Sequence, residues 1–142
     1  MERAKRPYHR WRVPWGLAVV KKHFPKCKVI GIEEPIFDER ALPERFHPQF
    51  GPSLFARLMP RVDILLRCDH GLVVLEFSDR ARVSDIYKLL GYVDAIRHEK
   101  VRTEWRDLPI TPVFVTPYRD ERVEGVCKSL RITYISEPYE LV

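Results

Sequence analysis

Two carboxylates in neighbouring apolar segments are the residues of this chain best placed to do chemistry. Asp63 lies in the segment RVDILLR and Glu76 in the segment LVVLEF, with only the short turn Asp69–Gly71 between them. Burying a carboxylate in an apolar strand is costly unless a partner compensates for its charge. These two residues therefore raise the question of a metal site.

The two segments are predicted strands, 61–67 and 72–77, that pair as a hairpin. If residues 69 and 70 form the loop, Asp63 lies directly opposite Glu76. If the loop is one residue later, Glu76 is the diagonal neighbour of Asp63. In both registers the two carboxylates share one face of the sheet, and directly opposed β carbons are about 5 Å apart.

Two negative charges this close repel each other unless a cation lies between them or one of them is protonated. Mg²⁺ and Mn²⁺ prefer oxygen ligands of this kind. The sequence therefore favours a divalent metal site at Asp63 and Glu76. The alternative is a set of ion pairs, in which Asp63 pairs with Arg61 or Arg67 and Glu76 pairs with an arginine of the following helix.

That helix is predicted over 84–99, with Ser84 as its N-cap, because its apolar residues recur at helical spacing. Lys88 and Tyr92 are one turn apart and share a face. Further elements are a helix at 15–24, strands at 28–32, 110–116 and 132–135, and a helix at 120–130. The order of elements predicts an α/β sandwich with a central mixed sheet flanked by helices.

The motif order resembles the core of the PD-(D/E)xK, or restriction endonuclease-like, nuclease superfamily, with RecB-type nucleases nearest in motif. The motifs that carry the resemblance are PRVD ending at Asp63, EFS beginning at Glu76, and KLLGY from Lys88 to Tyr92. The later segments ITPVFVT and RITYI are similar to the tail of that fold, so the resemblance covers about residues 28–136.

The resemblance implies a restriction endonuclease-like αβ sandwich and the hydrolysis of phosphodiester bonds in nucleic acid. It implies catalytic roles for Asp63 and Glu76, which would hold Mg²⁺ or Mn²⁺ together with the backbone carbonyl of Phe77. Homodimers are common in this fold, so a homodimer is a further expectation.

Two departures from the family pattern leave alternatives open. The lysine expected at position 78 is Ser78, and Lys88 stands where the helix glutamine is expected. Some family members carry the lysine on this helix, so Lys88 is a third candidate catalytic residue. The alternative is a degenerate module with a weakened or inactive site that binds nucleic acid or a partner protein, or that serves as a structural or regulatory subunit.

The N-terminal segment predicts a nucleic-acid partner, with DNA preferred. Residues 1–28 hold nine Lys and Arg residues against one acid, Glu2, and the whole chain has a net charge of +5. Such a basic stretch attracts a polyanion, and interleaved aromatic residues can stack on bases. The candidate nucleic-acid-binding residues are Arg10, Arg12, Lys21, Lys22 and Tyr92, and the candidate stacking residues are Tyr8, Trp11 and Trp15.

Length and composition predict one domain over 1–142, with a basic arm at 1–14 and a nuclease-like core at 28–136. No stretch is long and apolar enough to span a bilayer and no signal peptide is recognisable, which predicts a cytoplasmic protein without a membrane partner. The chain has no Asn, a single Gln and 12 Pro, a composition typical of thermophiles.

Three cysteines are isolated in the sequence, at Cys27, Cys68 and Cys127. No CxxC motif and no His ligand spacing accompanies them, which argues against a zinc site. We expect free buried thiols, with one disulfide as the alternative. The sequence also lacks a P-loop and a Rossmann glycine pattern.

Overall fold

The computed structural model of the protein describes residues 13–35, 61–97 and 107–141. In these ranges, no helix is both long and apolar enough to cross a membrane. The elements in chain order are α1 (Val13–His23), β1 (Lys28–Pro35), β2 (Arg61–Cys68), β3 (Gly71–Phe77), α2 (Val83–Arg97), β4 (Ile110–Thr116), α3 (Glu121–Ser129), β5 (Thr133–Ser136) and a 3₁₀ turn (Tyr139–Leu141).

The five strands form one mixed sheet in the order β1-β2-β3-β4-β5. β2 pairs antiparallel with β1 and with β3, whereas β4 pairs parallel with β3 and β5. Every residue of β3 is buried, as expected for a central strand covered on both faces. The structure confirms the predicted mixed sheet flanked by helices.

Alternation along the strands divides the core into two layers. One layer contains Leu65, Val74 and Phe114 and is covered by α2 and α3. The opposite layer contains Ile64 and Phe77 and is covered by α1. Because successive side chains of a strand point to opposite faces, Asp63 and Glu76 belong to the α2 side of the sheet.

The hairpin turn fixes the register of the two carboxylates. Cys68 pairs with Gly71 and Ile64 pairs with Leu75, so the ladder continued by one residue puts Asp63 directly opposite Glu76. This is the first of the two predicted registers. Gly71 is required at the turn because a β carbon there would lie 2.3 Å from the backbone oxygen of Pro109.

The C-terminal segment is attached to α1 through a buried tryptophan. Trp15 has no exposed surface, and its Nε1 donates a hydrogen bond of 3.0 Å to the backbone oxygen of Glu137. Its ring packs edge-on against Phe77 at 5.2 Å and against Tyr139 at 4.8 Å between ring centroids. The prediction that Trp15 stacks on bases is therefore wrong, and Tyr8 and Trp11 lie outside the described residues.

Most element boundaries agree with the sequence prediction within one to three residues. α2 begins at Val83, so Ser84 lies inside the helix and is not its N-cap. The N-cap of α3 is Asp120, whose side chain accepts a hydrogen bond from the backbone N–H of Val123. The division into one domain with a basic arm, and the cytoplasmic location, stay predictions.

The expectation of free thiols is wrong for two of the three cysteines. Cys27 and Cys68 form a disulfide with a Cα–Cα distance of 4.4 Å, whereas Cys127 is free and buried. The bond ties the chain before β1 to the end of β2. Isolated cysteines carry no spacing signal for such a pairing, because it depends on the fold that brings them together.

We expect the disulfide to contribute about 2–4 kcal/mol to the free energy of unfolding, because it restricts the unfolded chain. The cross-link spans 41 residues of sequence. Urea unfolding of the oxidised protein, with and without a reducing agent, measures this contribution. The double variant Cys27→Ala/Cys68→Ala is the control, because reductant should leave its midpoint unchanged. An equal midpoint for reduced and oxidised wild type would contradict the prediction.

Candidate active site

The carboxylate pair lies at the open end of the β2–β3 hairpin. Asp63 is partly exposed, whereas Glu76 is 4% exposed. The backbone N–H of Phe77 donates a hydrogen bond of 2.9 Å to Asp63 Oδ2, which anchors the Asp63 carboxylate against the end of β3. One oxygen of Glu76, Oε1, is buried and has no hydrogen-bond partner within the described part of the chain.

Burial and repulsion favour the protonated form of Glu76. Its pKa is raised well above the ordinary value, first by burial and then by the negative charge of Asp63. A hydrogen bond with Asp63 raises this pKa as well, while the positive charge of Lys88 lowers it. Without a further cation, the site therefore favours one proton shared between two carboxyl groups.

Ser78, which takes the place of the expected lysine, is bound to the start of α2. Its side chain is buried. Its hydroxyl donates a hydrogen bond of 2.8 Å to Asp85 Oδ2 and accepts one of 3.3 Å from the backbone N–H of Arg82. Its backbone N–H donates to the backbone oxygen of Val115 at 2.9 Å. Ser78 therefore fixes the turn between β3 and α2.

Lys88 and Tyr92 lie close to the carboxylate pair. Lys88 Nζ is 3.9 Å from Asp85 Oδ1, and its charge reaches Glu76. Tyr92 is half-buried, and its pKa is raised first by burial and then by the negative charges of Glu76, Asp63 and Asp85. The structure thus places Lys88 and Tyr92 within electrostatic reach of the carboxylate pair, and Tyr92 keeps its phenolic proton.

Of the predicted basic residues, Lys21 and Lys22 are not part of this cluster. Arg10 and Arg12 lie outside the described residues. Lys21 and Lys22 are at the end of α1, which covers the face opposite to Asp63. Lys22 Nζ lies 2.9 Å from Glu137 Oε2, and its hydrogen bond, followed by that of His23, lowers the pKa of Glu137. Lys22 therefore has a structural partner that competes with any phosphate.

Asp85 is the residue that sequence reasoning missed. It lies in the first turn of α2 and bridges Ser78 to Lys88 through its two oxygens. Its position three residues before Lys88 was a usable signal, because such pairs are neighbours on a helix surface. The link to Ser78 was not visible in the sequence, because it depends on the turn that joins β3 to α2.

The donor set of the site fits a hard divalent cation. Asp63 and Glu76 supply carboxylate oxygens, and the unpartnered Oε1 of Glu76 would gain a partner from such an ion. In the described ranges, no group of three or more His, Cys, Asp or Glu side chains is arranged to hold a metal. Two carboxylates suffice for Mg²⁺, which commonly keeps several waters and binds substrate phosphate.

No family model and no curated protein matches the chain. Among solved structures, the chain is similar to EndoMS in the EndoMS–dsDNA2 complex, with a TM-score of 0.60 and 18% identity. It is also similar to a repair endonuclease from Pyrococcus abyssi, with a TM-score of 0.58 and 16% identity. Both likenesses cover 97% of this chain.

These likenesses establish the fold. The chain has the α/β fold of these structures, a mixed five-stranded sheet flanked by helices. At the same time it spans only 48% and 50% of the two longer chains. The expected α/β sandwich with a central mixed sheet is confirmed, whereas the resemblance to a nuclease superfamily and the roles of the site residues stay predictions.

The raised pKa of Glu76 predicts a specific pH dependence of stability. The unfolded chain loses this proton near pH 4.5, whereas the folded protein retains it to higher pH. Since the folded state then binds more protons, the free energy of unfolding should fall as the pH rises between the two pKa values, by at most about 1.4 kcal/mol per pH unit. Glu76→Gln should remove this fall, which urea unfolding at a series of pH values would measure.

The control for this experiment is Glu140→Gln, at an exposed position in the C-terminal 3₁₀ turn. It should keep the wild-type pH dependence. Parallel curves for wild type and Glu76→Gln across that pH range would show that Glu76 does not retain its proton.

Proposed function

We propose that the protein is a metal-dependent nuclease that hydrolyses phosphodiester bonds in DNA. The observation that carries the proposal is the Asp63–Glu76 pair. Two carboxylates lie opposite each other on neighbouring strands, one of them buried with an unpartnered oxygen. Strongly perturbed carboxyl groups beside a charge partner are characteristic of functional sites.

The choice of DNA rests on two supports. One of the similar structures is a complex with dsDNA and the other is a repair endonuclease. The basic N-terminal segment, residues 1–28, supplies positive charge that would neutralise phosphates. These supports concern DNA and not RNA. The homodimer stays a prediction.

In this proposal each residue of the site has a defined task. Asp63 and Glu76, with the Phe77 carbonyl, would hold Mg²⁺ or Mn²⁺, and such an ion polarises a scissile phosphate and lowers the pKa of an attacking water. Glu76 must release its proton before it can act as a ligand. The ammonium group of Lys88 would stabilise the negative charge that develops on the phosphate, and the phenol of Tyr92 would donate a hydrogen bond to a phosphate oxygen.

The second candidate function is a degenerate module that binds DNA or a partner protein without cleaving it. The observation that favours it is Ser78, which carries no charge and whose hydroxyl is bound to Asp85. The two candidates differ in one property: a nuclease cleaves in the presence of Mg²⁺ or Mn²⁺, whereas the module only binds.

Cleavage assays distinguish these functions. Single-stranded, duplex and branched DNA are incubated with the protein and Mn²⁺ or Mg²⁺, and with EDTA as the metal-free condition. We expect cleavage only with metal. Asp63→Asn and Glu76→Gln should each abolish cleavage, because each replaces a carboxylate ligand by a neutral amide of nearly the same shape. Glu140→Gln is the matched control and should cleave like wild type.

Lack of cleavage by wild type on all three substrates, with DNA binding intact, would assign the protein to the degenerate module. Ser78→Lys then tests whether the missing charge alone explains the inactivity. Cleavage that persists in Asp63→Asn would reject the proposed site, and circular dichroism of each variant checks that the fold survives.

DNA binding should be strongly dependent on salt, because bound Lys and Arg release counterions from the phosphates. The triple variant Arg10→Ala/Arg12→Ala/Lys21→Ala should bind more weakly, and its slope of log K against log salt should shrink by about 0.9 for each phosphate contact that is lost. Lys22 is left unchanged because it pairs with Glu137. Fluorescence anisotropy at several salt concentrations gives both quantities.

The matched control removes three charges from exposed positions on the other helices, in the variant Arg97→Ala/Arg122→Ala/Lys128→Ala. It has the same net charge as the first triple variant. An equal loss of affinity in both would mean that net charge, and not the N-terminal segment, determines binding.

A further inference from the structure

Asp85 connects the residue in the expected lysine position to the lysine that is present. Its Oδ2 accepts a hydrogen bond of 2.8 Å from the Ser78 hydroxyl, and its Oδ1 lies 3.9 Å from Lys88 Nζ. The Asp85 side chain is 20% exposed and that of Lys88 is 58% exposed. The aspartate is thus largely enclosed, while the lysine reaches it from the solvent side.

The contacts of Ser78 make Asp85 a fixed point. The Ser78 backbone N–H is bound to the backbone oxygen of Val115 in β4, and its hydroxyl accepts from the backbone N–H of Arg82. Because Ser78 is itself fixed by these hydrogen bonds, its hydroxyl restricts the orientation of the Asp85 carboxylate, which accepts from it. The Asp85 side chain therefore has little conformational freedom, whereas the flexible side chain of Lys88 can adopt the conformation that forms the ion pair with Asp85.

We propose that Asp85 is a positioning residue that holds the ammonium group of Lys88 beside the Asp63–Glu76 pair, through its own anchorage on Ser78. The proposal rests on the nuclease function proposed above. It also gives Ser78, which replaces the expected lysine, a definite role. Ser78 orients Asp85, and Asp85 orients Lys88. Such supporting groups typically change activity 10- to 100-fold when they are removed.

The competing role for Asp85 is that of a third metal ligand. The contacts favour positioning, because both carboxylate oxygens already have partners in Ser78 and Lys88. The described residues also contain no group of three acidic, His or Cys side chains arranged to hold a metal. The two roles differ in one measurable respect, since loss of a ligand weakens metal binding whereas loss of a positioning group does not.

A double-mutant cycle tests the proposal through Asp85→Asn, Lys88→Met and the double variant. Asn keeps an oxygen that can accept from Ser78 and removes the charge that attracts Lys88. We expect Lys88→Met to lower kcat about a hundredfold, as for loss of one group that stabilises transition-state charge. Asp85→Asn should lower kcat about 10- to 100-fold with KM unchanged, and the double variant should be no slower than Lys88→Met alone.

Several results would overturn the proposal. If Asp85 has only a structural role, Asp85→Asn should lower kcat by the same factor in wild type and in Lys88→Met. Weaker Mn²⁺ binding by Asp85→Asn in calorimetry would make Asp85 a metal ligand, and wild-type kcat in that variant would remove it from the mechanism. Asp85→Glu keeps the charge and should recover part of the rate. Asp94→Asn, on the same helix, is the matched control.

A second measurement does not depend on cleavage. Crystal structures of wild type and Asp85→Asn, both without metal, show whether the Lys88 ammonium leaves the carboxylate pair when the Asp85 charge is removed. Displacement of Lys88 supports positioning, and an unmoved Lys88 refutes it. If wild type does not cleave DNA but Lys88 is displaced in Asp85→Asn, the nuclease function fails while the positioning role of Asp85 stands.

Discussion

The repulsion between Asp63 and Glu76 is the constraint on which the rest of the site depends. Glu76 lies in the central strand, where every residue is buried, and it cannot leave its position without disrupting the ladder. A slip of one residue would turn the apolar side chains of the hairpin to the wrong faces. The apolar core therefore excludes such a slip, and the two carboxylates must be accommodated by a proton, by Lys88 or by a metal ion. Of these, only the proton and Lys88 belong to the protein itself.

The two ends of the hairpin are stabilised by different means. At the turn, the Cys27–Cys68 disulfide joins β2 covalently to the segment before β1. At the open end, Phe77 donates its backbone N–H to Asp63 and packs its ring against Trp15. Trp15 in turn binds the backbone of Glu137. The carboxylate pair thus belongs to a hairpin whose two ends are both tied to elements on the α1 face of the sheet, opposite to the carboxylates.

The hairpin, its carboxylates and the helix that follows could be predicted because their periodicities of two and 3.6 residues are visible in the sequence. The choice between the two registers could not be predicted, because both candidate loops fit the pattern and both keep the carboxylates on one face. Trp15 was assigned to the wrong environment, since a short basic helix does not reveal which aromatic faces the core. The partners of Cys68 and Ser78 are set by tertiary contacts, which local patterns do not encode.

The retained carboxylate pair bears on whether Ser78 marks a lost activity. An amide at position 76 would keep the shape of the side chain without a group that must either retain its proton or bear a buried charge beside Asp63. A chain that needed only the fold would therefore have no use for a carboxyl group there. Proteins generally depart from such local rules at functional sites and compensate elsewhere. If the protein were purely a binding module, the buried Glu76 oxygen that lacks a hydrogen-bond partner among the described residues would have no functional explanation. The proposed cation-binding site would give that oxygen a partner, and Lys88 would then supply the positive charge that Ser78 lacks.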